Sequence, residues 1–301
     1  MKGSAVMKKF EIFTDSCIDL PAELAAQLKL KIIPLSITVE KETYYNYLDE
    51  REISNKDFYQ LLREHKLSQT SQATPQDFLE AMEPILKAGT DILSISLSSV
   101  LSGTYQSSLI AKEELLNKYP ERKIITIDSL CASMGQGLLL TYAAQMRNRG
   151  SSLEETAAWV ENNKKQICHL FTVGDLNHLK RGGRLSYAKA FLGTILRIKP
   201  LLHVNNEGKL IQTGAVRGRR RVLERLVNRM ENTITDAKEQ LIYISHGDCE
   251  DEALELKRKI KERMAVKDVL INFIGPVIGS HSGIDTLAIF YLGNDRTVPY
   301  K

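Results

Sequence analysis

Asp91-Ile92-Leu93-Ser94-Ile95-Ser96-Leu97 is followed by Ser98-Ser99-Val100-Leu101-Ser102-Gly103, and then by a segment running from Thr104 to Asn117. The first run reads as a buried strand and the last as a helix. Between them lies a loop of hydroxyls and one glycine. Working outward, the same unit recurs. Phe10–Thr14 reads as a strand ending in Asp15-Ser16, with a helix start at Asp19 and Pro21, since proline suits a first helical turn. Lys31–Val39 reads as a second strand. Asp57–Arg63 and Pro75–Leu86 read as helices. Lys123–Ile127 is a strand ending in Asp128-Ser129, and Met134–Arg149 is a helix closed by Gly150. Strands alternating with helices predict a parallel, Rossmann-like sheet covered on both faces.

The second half is patterned differently. Ser152 and Glu155 have capping-box spacing ahead of a helix that includes Trp159. Ile167–Val173 reads as a strand. Pro200–Val204 and Lys209–Val216 flank Asn205-Asn206-Glu207-Gly208, a hairpin signal. Leu241–Ser245 and Val269–Ile274 are strands separated by the charged helix Asp251–Arg263, and Thr286–Tyr291 is a last strand. A hairpin with helices predicts a mixed or antiparallel sheet. The expected class is α/β in two domains, 1–152 and 153–301, with the boundary near Gly150–Ser152.

Composition bounds the function. The 301 residues are 43% hydrophobic and 26% charged, with a formal net charge of +4. That charge is too small to imply nucleic acid. Cys17, Cys131, Cys168 and Cys249 form no C-x-x-C pair, so they read as reduced, buried small hydrophobes and not as a zinc or redox site. No apolar run approaches the ~20 residues that span a bilayer. Met1–Phe10 lacks a signal-type apolar core, and Met1–Val6 reads as an added or alternative start ahead of Met7. A cytoplasmic monomer with no metal and no cofactor is expected.

The common catalytic motifs are missing: no P-loop, no dinucleotide fingerprint after the first strand, no H-E-x-x-H. Gly279-Ser280-His281-Ser282-Gly283 has the outline of a nucleophile elbow but carries His281 where the nucleophile belongs. Hydroxyls and glycines instead cluster at strand ends: Thr70-Ser71-Gln72, Ser98 to Thr104, and Gly275 to Gly283. Ligands of open α/β sheets sit beyond the carboxyl ends of strands. Ser102 and Gly103, where a helix begins, suit a carboxylate or phosphate. Read singly, each has a plainer meaning: Ser102 an N-cap, Thr70 and Ser71 a loop, His281 a turn residue.

Taken in order, these segments resemble the DegV family, the fatty-acid-binding (FakB-like) subunits of bacterial fatty acid kinase. The resemblance runs along nearly the whole chain. It is carried by Thr14-Asp15-Ser16 with Asp19-Leu20-Pro21, Pro34-Leu35, Thr70-Ser71-Gln72, Ser99 to Ser107 (S-V-L-S-G-T-Y-Q-S), Asp128-Ser129 with Ser133 to Gly137, Arg181-Gly182-Gly183-Arg184-Leu185-Ser186, and Gly275 to Gly283. The resemblance implies an acyl chain held in a tunnel between the domains. The carboxylate would lie near strand ends, hydrogen-bonded by hydroxyls matching Thr70 and Ser102, with His281 and Arg184 close by. Ser71, Gly103 and Ser282 complete the expected carboxylate set. It further implies a separate kinase subunit that carries nucleotide and metal and phosphorylates the bound acid for phospholipid synthesis. Phe191–Leu196 and Val277-Ile278 are the expected tail contacts.

The basic run Arg217-Gly218-Arg219-Arg220-Arg221 opens a helix, with Arg225 one turn on. It reads either as a solvated face or as a docking surface for the kinase, with Arg217 first and Arg219 second as the kinase-facing residue. Two departures from the family pattern stand out. Ala73-Thr74 follows Thr70-Ser71-Gln72, and Ile284-Asp285 replaces the usual Pro-Gly after Gly283. An inward Asp285 would repel a carboxylate or hold His281 protonated, so an outward side chain is expected. Two other classes compete: a serine hydrolase built from Ser102, His281 and Asp15 or Asp128, and an anion- or nucleic-acid-binding regulator using the arginine run.

Overall fold

The structure is a computed structural model that describes residues 9–185 and 198–297. The tail-contact stretch Phe191–Leu196 and Ser186 lie outside the described residues. The first half runs β1 (Phe10–Asp15), α1 (Ala22–Gln27), β2 (Leu30–Ile33), β3 (Ser36–Val39), β4 (Glu42–Tyr45) and α2 (Asn55–Arg63). It continues through β5 (Ser68–Ser71), α3 (Pro75–Lys87), β6 (Asp91–Ser96), α4 (Thr104–Lys118), β7 (Ile124–Asp128) and α5 (Met134–Asn148). The second half comprises α6 (Leu153–Asn163), β8 (Ile167–Thr172), α7 (Leu176–Arg181), β9 (Ile198–Val204), β10 (Leu210–Arg217) and α8 (Arg219–Glu231). Then come β11 (Leu241–His246), α9 (Glu250–Arg263), β12 (Asp268–Phe273), α10 (Pro276–Ser282) and β13 (Leu287–Leu292).

Strands β2-β1-β6-β7 form the parallel sheet. Every residue of β6 is buried, as expected of a strand covered on both faces. Chain order reverses between β1 and β6, which places a topological switch point there. The two strand ends are tied across it by Asp15, whose Oδ2 accepts the Leu97 N–H at 2.7 Å. The Ser98–Gly103 loop emerges at this point.

Three local readings are corrected by the structure. Lys31–Val39 is not one strand: it breaks at Pro34-Leu35, and β3 joins a separate antiparallel sheet, β4-β3-β5. Proline has no N–H for a central ladder. Thr70 and Ser71 are not a plain loop but part of edge strand β5, paired with Ile37 and Ser36. Gly275 to Gly283 is not an open strand-end loop. Pro276 starts the short helix α10, and Gly283 ends it at φ 77°, a left-handed conformation that favours glycine.

The second sheet, β10-β9-β8-β13-β11-β12, is antiparallel except for the parallel pair β11–β12. Helices α8 and α9 cover one face, contributing Val222, Leu226, Leu256 and Ile260 to the core there. Helix α5 lies on the other face. Its Leu138, Leu139 and Leu140 share one buried cluster with Ile12 and Ile127 of the first sheet and with Phe171, Tyr243 and Phe290 of the second. The two sheets are thus joined by a common core and not by a thin linker. The expected boundary at 152/153 falls at the turn before α6, which still packs on β6 and β7, so the second sheet begins at β8. The β9–β10 hairpin tip docks back on the first domain: Ser98 Oγ donates to Gly208 O at 3.1 Å. Fully buried Arg296 donates to Leu130 O, Lys164 O and Asn205 O.

Candidate functional site

A cavity opens at the switch point and runs between the two sheets, enclosing about 1000 Å³ of empty space with its mouth included. Leu35, Leu97 and Leu101 come from the first domain, Ile274, Val277 and Ile278 from the β12–α10 segment, and Phe171, Ala288 and Phe290 from the second sheet. Val277 and Ile278, expected from the sequence as tail contacts, are therefore at its wall.

The polar residues singled out from the sequence all line it. Thr70, Ser71, Ser102, Gly103, Arg184, His281 and Ser282, separated by up to 212 positions in the chain, all line this cavity. Thr70 Oγ1 lies 2.8 Å from His281 Nε2. Arg184 is held by its Nε donating to Leu101 O at 3.2 Å and by its Nη1 donating to Gly182 O. Ser102 Oγ accepts the Thr104 N–H at 3.3 Å and lies 2.9 Å from Thr104 Oγ1. The N-cap of α4 is Gly103, without a side-chain cap, so Ser102 stays at the cavity wall. Ser71 is exposed at the rim. Ser282 is buried, and its Oγ has no hydrogen-bond partner among the described residues.

The glycines of these motifs hold the partners in place. A Cβ on Gly103 would lie 2.1 Å from Gln72 Oε1, and a Cβ on Gly182 would lie 2.3 Å from His281 Nδ1. Thus Thr70-Ser71-Gln72 packs on the start of α4, and His281 packs on the turn after α7. Gln72, the third residue of the Thr70-Ser71-Gln72 motif, was not among the expected carboxylate ligands but lines the cavity, and its Nε2 donates to Ser107 Oγ at 3.2 Å. Ser133, His169 and Ser245 also line the cavity. The sequence carried no signal for the last two, because both sit in strands that read simply as apolar runs.

Electrostatics favour a neutral imidazole. Burial, with the nearby Arg184 charge adding, pushes His281 down to about 4. Asp285, at φ 59°, is absent from the cavity lining, packs against Gly174, and contributes to the field at Arg63 and Cys249. A triad is not assembled: Ser102 and His281 are not hydrogen-bonded. Asp15 is spent on Cys17, Leu97 and Gln136, and Asp128 on Ser99 and Leu130. Among the described residues, no group of three His, Cys, Asp or Glu side chains could hold a metal. No helix among them is long and apolar enough to cross a membrane.

Thr70, Arg184 and His281 also face a second, more polar cleft on the outer side, lined further by Lys66, His178 and Arg181. These three residues thus form a wall between an apolar cavity and a basic cleft. The arginine run lies elsewhere. Arg217 is exposed at the end of β10, over a shallow groove with Arg221, Arg225 and Glu224 that shares no residue with the cavity. Arg219 is turned to α9, where its Nε and Nη2 hold the Glu252 carboxylate. Arg219 is therefore engaged within the protein, while Arg217 is exposed.

Known proteins share this architecture. A DegV domain-containing protein of Clostridium perfringens is 47% identical over 290 residues, covering 96% of this chain and 99% of the relative. A solved DegV family protein from Thermus thermophilus, described by its fatty acid binding, superposes with a TM-score of 0.86 at 31% identity, covering 94% of this chain and 99% of that one. DegV of Bacillus subtilis, described as a fatty acid binding protein, gives 0.81 at 30% identity, covering 95% and 100%. The family profile, whose description reads uncharacterised protein of the DegV family, matches residues 9–294, and this chain belongs to the DegV family.

Proposed function

We propose that this protein binds a long-chain fatty acid in the cavity and presents its carboxylate, at the Thr70–His281 wall, to a separate ATP-dependent kinase. The resulting acyl phosphate would feed phospholipid synthesis. The observation that carries this reading is the wall itself, with an apolar cavity on one side and a cleft bearing Lys66, His178 and Arg181 on the other. An alkyl chain belongs on the first side. A reacting anion and the negative charge of a phosphoryl donor suit the second. The solved relatives described as fatty acid binders support the ligand class.

A buried carboxylate needs donors. With His281 neutral and its Nε2 protonated, the ring donates to Thr70 Oγ1, leaving the Thr70 proton for the ligand. Arg184 supplies the cation beside it. In this reading the protein is a substrate-presenting subunit, acts as a monomer, and leaves the phosphoryl chemistry to its partner. Arg217, exposed and unconnected to the cavity, is the favoured kinase-docking residue.

Native mass spectrometry of the purified protein, followed by denaturation and lipid extraction, tests the ligand. A bound mass that extracts as an acid between myristic and stearic is expected. Absence of any bound acid, together with no uptake of added oleate or palmitate, would refute the reading.

A further inference from the structure

We propose that His169 and Phe290 form the floor that sets the longest acyl chain this cavity accepts, a specificity role that rests on the fatty-acid reading above. Strand register orders the lining residues along β8 and β13. β8 and β13 are antiparallel, with Phe171 opposite Ala288 and His169 opposite Phe290. Side chains alternate faces along a strand, so these four share one face. All four line the cavity, as does Thr286, just before β13. The Thr286 hydroxyl donates to Ser282 O and Gly283 O, which places this end at the polar wall. The next rung on that face, Ile167 with Leu292, no longer lines the cavity.

The last rung is built as a stop. The His169 ring has both nitrogens engaged: Nδ1 lies 2.9 Å from Ile167 O, and Nε2 accepts the Ala132 N–H at 3.2 Å. Burial pushes this imidazole down to about 3, so it is neutral, and it offers an incoming chain only ring carbon. Phe290 stands edge-on to it, with centroids 5.2 Å apart and planes at 87°. Behind it, a Cβ on Gly135 would lie 2.2 Å from Nε2, so α5 leaves no room to retreat. A flexible leucine could swing aside for a longer chain, whereas a ring pinned at two nitrogens and backed by helix cannot.

Competition binding with lauric, myristic, palmitic, stearic and arachidic acids tests the floor in the full-length protein, its Phe290→Leu variant and its His169→Leu variant. Opening the floor is expected to move the preferred acid to a longer member and to raise affinity for arachidic relative to palmitic acid on the order of tenfold. His169→Leu removes the acceptor of Ala132 N–H. If that variant fails to fold, Phe290→Leu, a change within hydrocarbon, decides alone. Wild-type protein that binds none of the acids overturns the fatty-acid reading and the floor with it. Wild-type protein that binds them, with the same chain-length ranking in every folded variant, overturns the floor alone.

Discussion

Thr70 Oγ1 and His281 Nε2 meet at 2.8 Å across 211 positions of sequence, one on an edge strand of the small antiparallel sheet and the other in the last turn of α10. This pair stands at one end of a largely apolar cavity. The first expected consequence is that Thr70→Ala combined with Ser102→Ala weakens fatty acid binding by roughly tenfold or more while leaving the melting temperature nearly unchanged. A hydrogen bond to a charged group contributes about 1.5–3 kcal/mol. Binding of the corresponding methyl ester, which has no carboxylate, should change much less. Equal losses for acid and ester would show that these hydroxyls do not hold the head group.

Gly182→Ala should displace the ring that Thr70 meets. The new Cβ would fall 2.3 Å from His281 Nδ1, and the imidazole would have to move. Acid affinity is expected to drop by about tenfold, comparable with losing one good hydrogen bond to a charged partner. Gly183→Ala serves as a comparison: a Cβ there meets nothing within 4 Å, although φ 67° adds backbone strain. A titration in which the two variants bind alike would contradict this packing account.

Two buried groups should shape stability against pH in opposite directions. His281 titrates near 6.5 when unfolded and about 4 when folded, so between those values the unfolded chain binds the proton. Stability present above pH 6.5 is lost as the pH falls towards 4, and His281→Ala should remove about 3 kcal/mol of that loss. His169, pushed to about 3, would keep the remainder of the acid limb. Asp19, buried against Ser133 Oγ and the Gly275 N–H, is raised by burial from 3.8 to about 7. Its folded form holds the proton longer, so stability present below pH 3.8 is lost as the pH rises towards 7. Asp19→Asn should therefore flatten the profile between about pH 4 and about pH 7. Urea denaturation across the range reads both, and unaltered profiles would rule out these assignments.

Arg217 and Arg219 should separate cleanly. Arg219→Ala breaks the pairing with Glu252 between α8 and α9 and should cost about 1 kcal/mol of stability, since both side chains are partly buried. Arg217→Ala should leave stability and acid affinity unchanged and lower turnover with the proposed kinase. If Arg217→Ala weakens acid binding as much as turnover, the docking role fails.

Much of this fold was legible from the chain because its signals are local. The Ser152–Glu155 capping box, the hairpin at Asn205–Gly208 and the fully buried β8 all form as expected. The misread segments lacked such a signal. β5 is a polar edge strand with alternating exposure, recognisable only through its partner β3. α10 is too short and glycine-rich for helical periodicity to show. His169 and Ser245 sit in strands that read simply as apolar runs, and which face of a strand meets a cavity depends on what packs above it.

The sequence by itself determined the alternation of strands and helices, the change of pattern after residue 150, the ordered motifs, and the hydroxyls, glycines and histidine from which the site is built. Apolar periodicity, turn residues and caps act over a few positions, so they can be read without knowing the rest of the chain. Only the tertiary structure decided that Gln72 rests on Gly103 and His281 on Gly182, that Arg219 is spent on Glu252 while Arg217 is exposed, and that His169 and Phe290 line the same cavity as Thr70 and His281. These relations join residues far apart in the chain, and they exist only once two sheets close on α5 and bury the space between them.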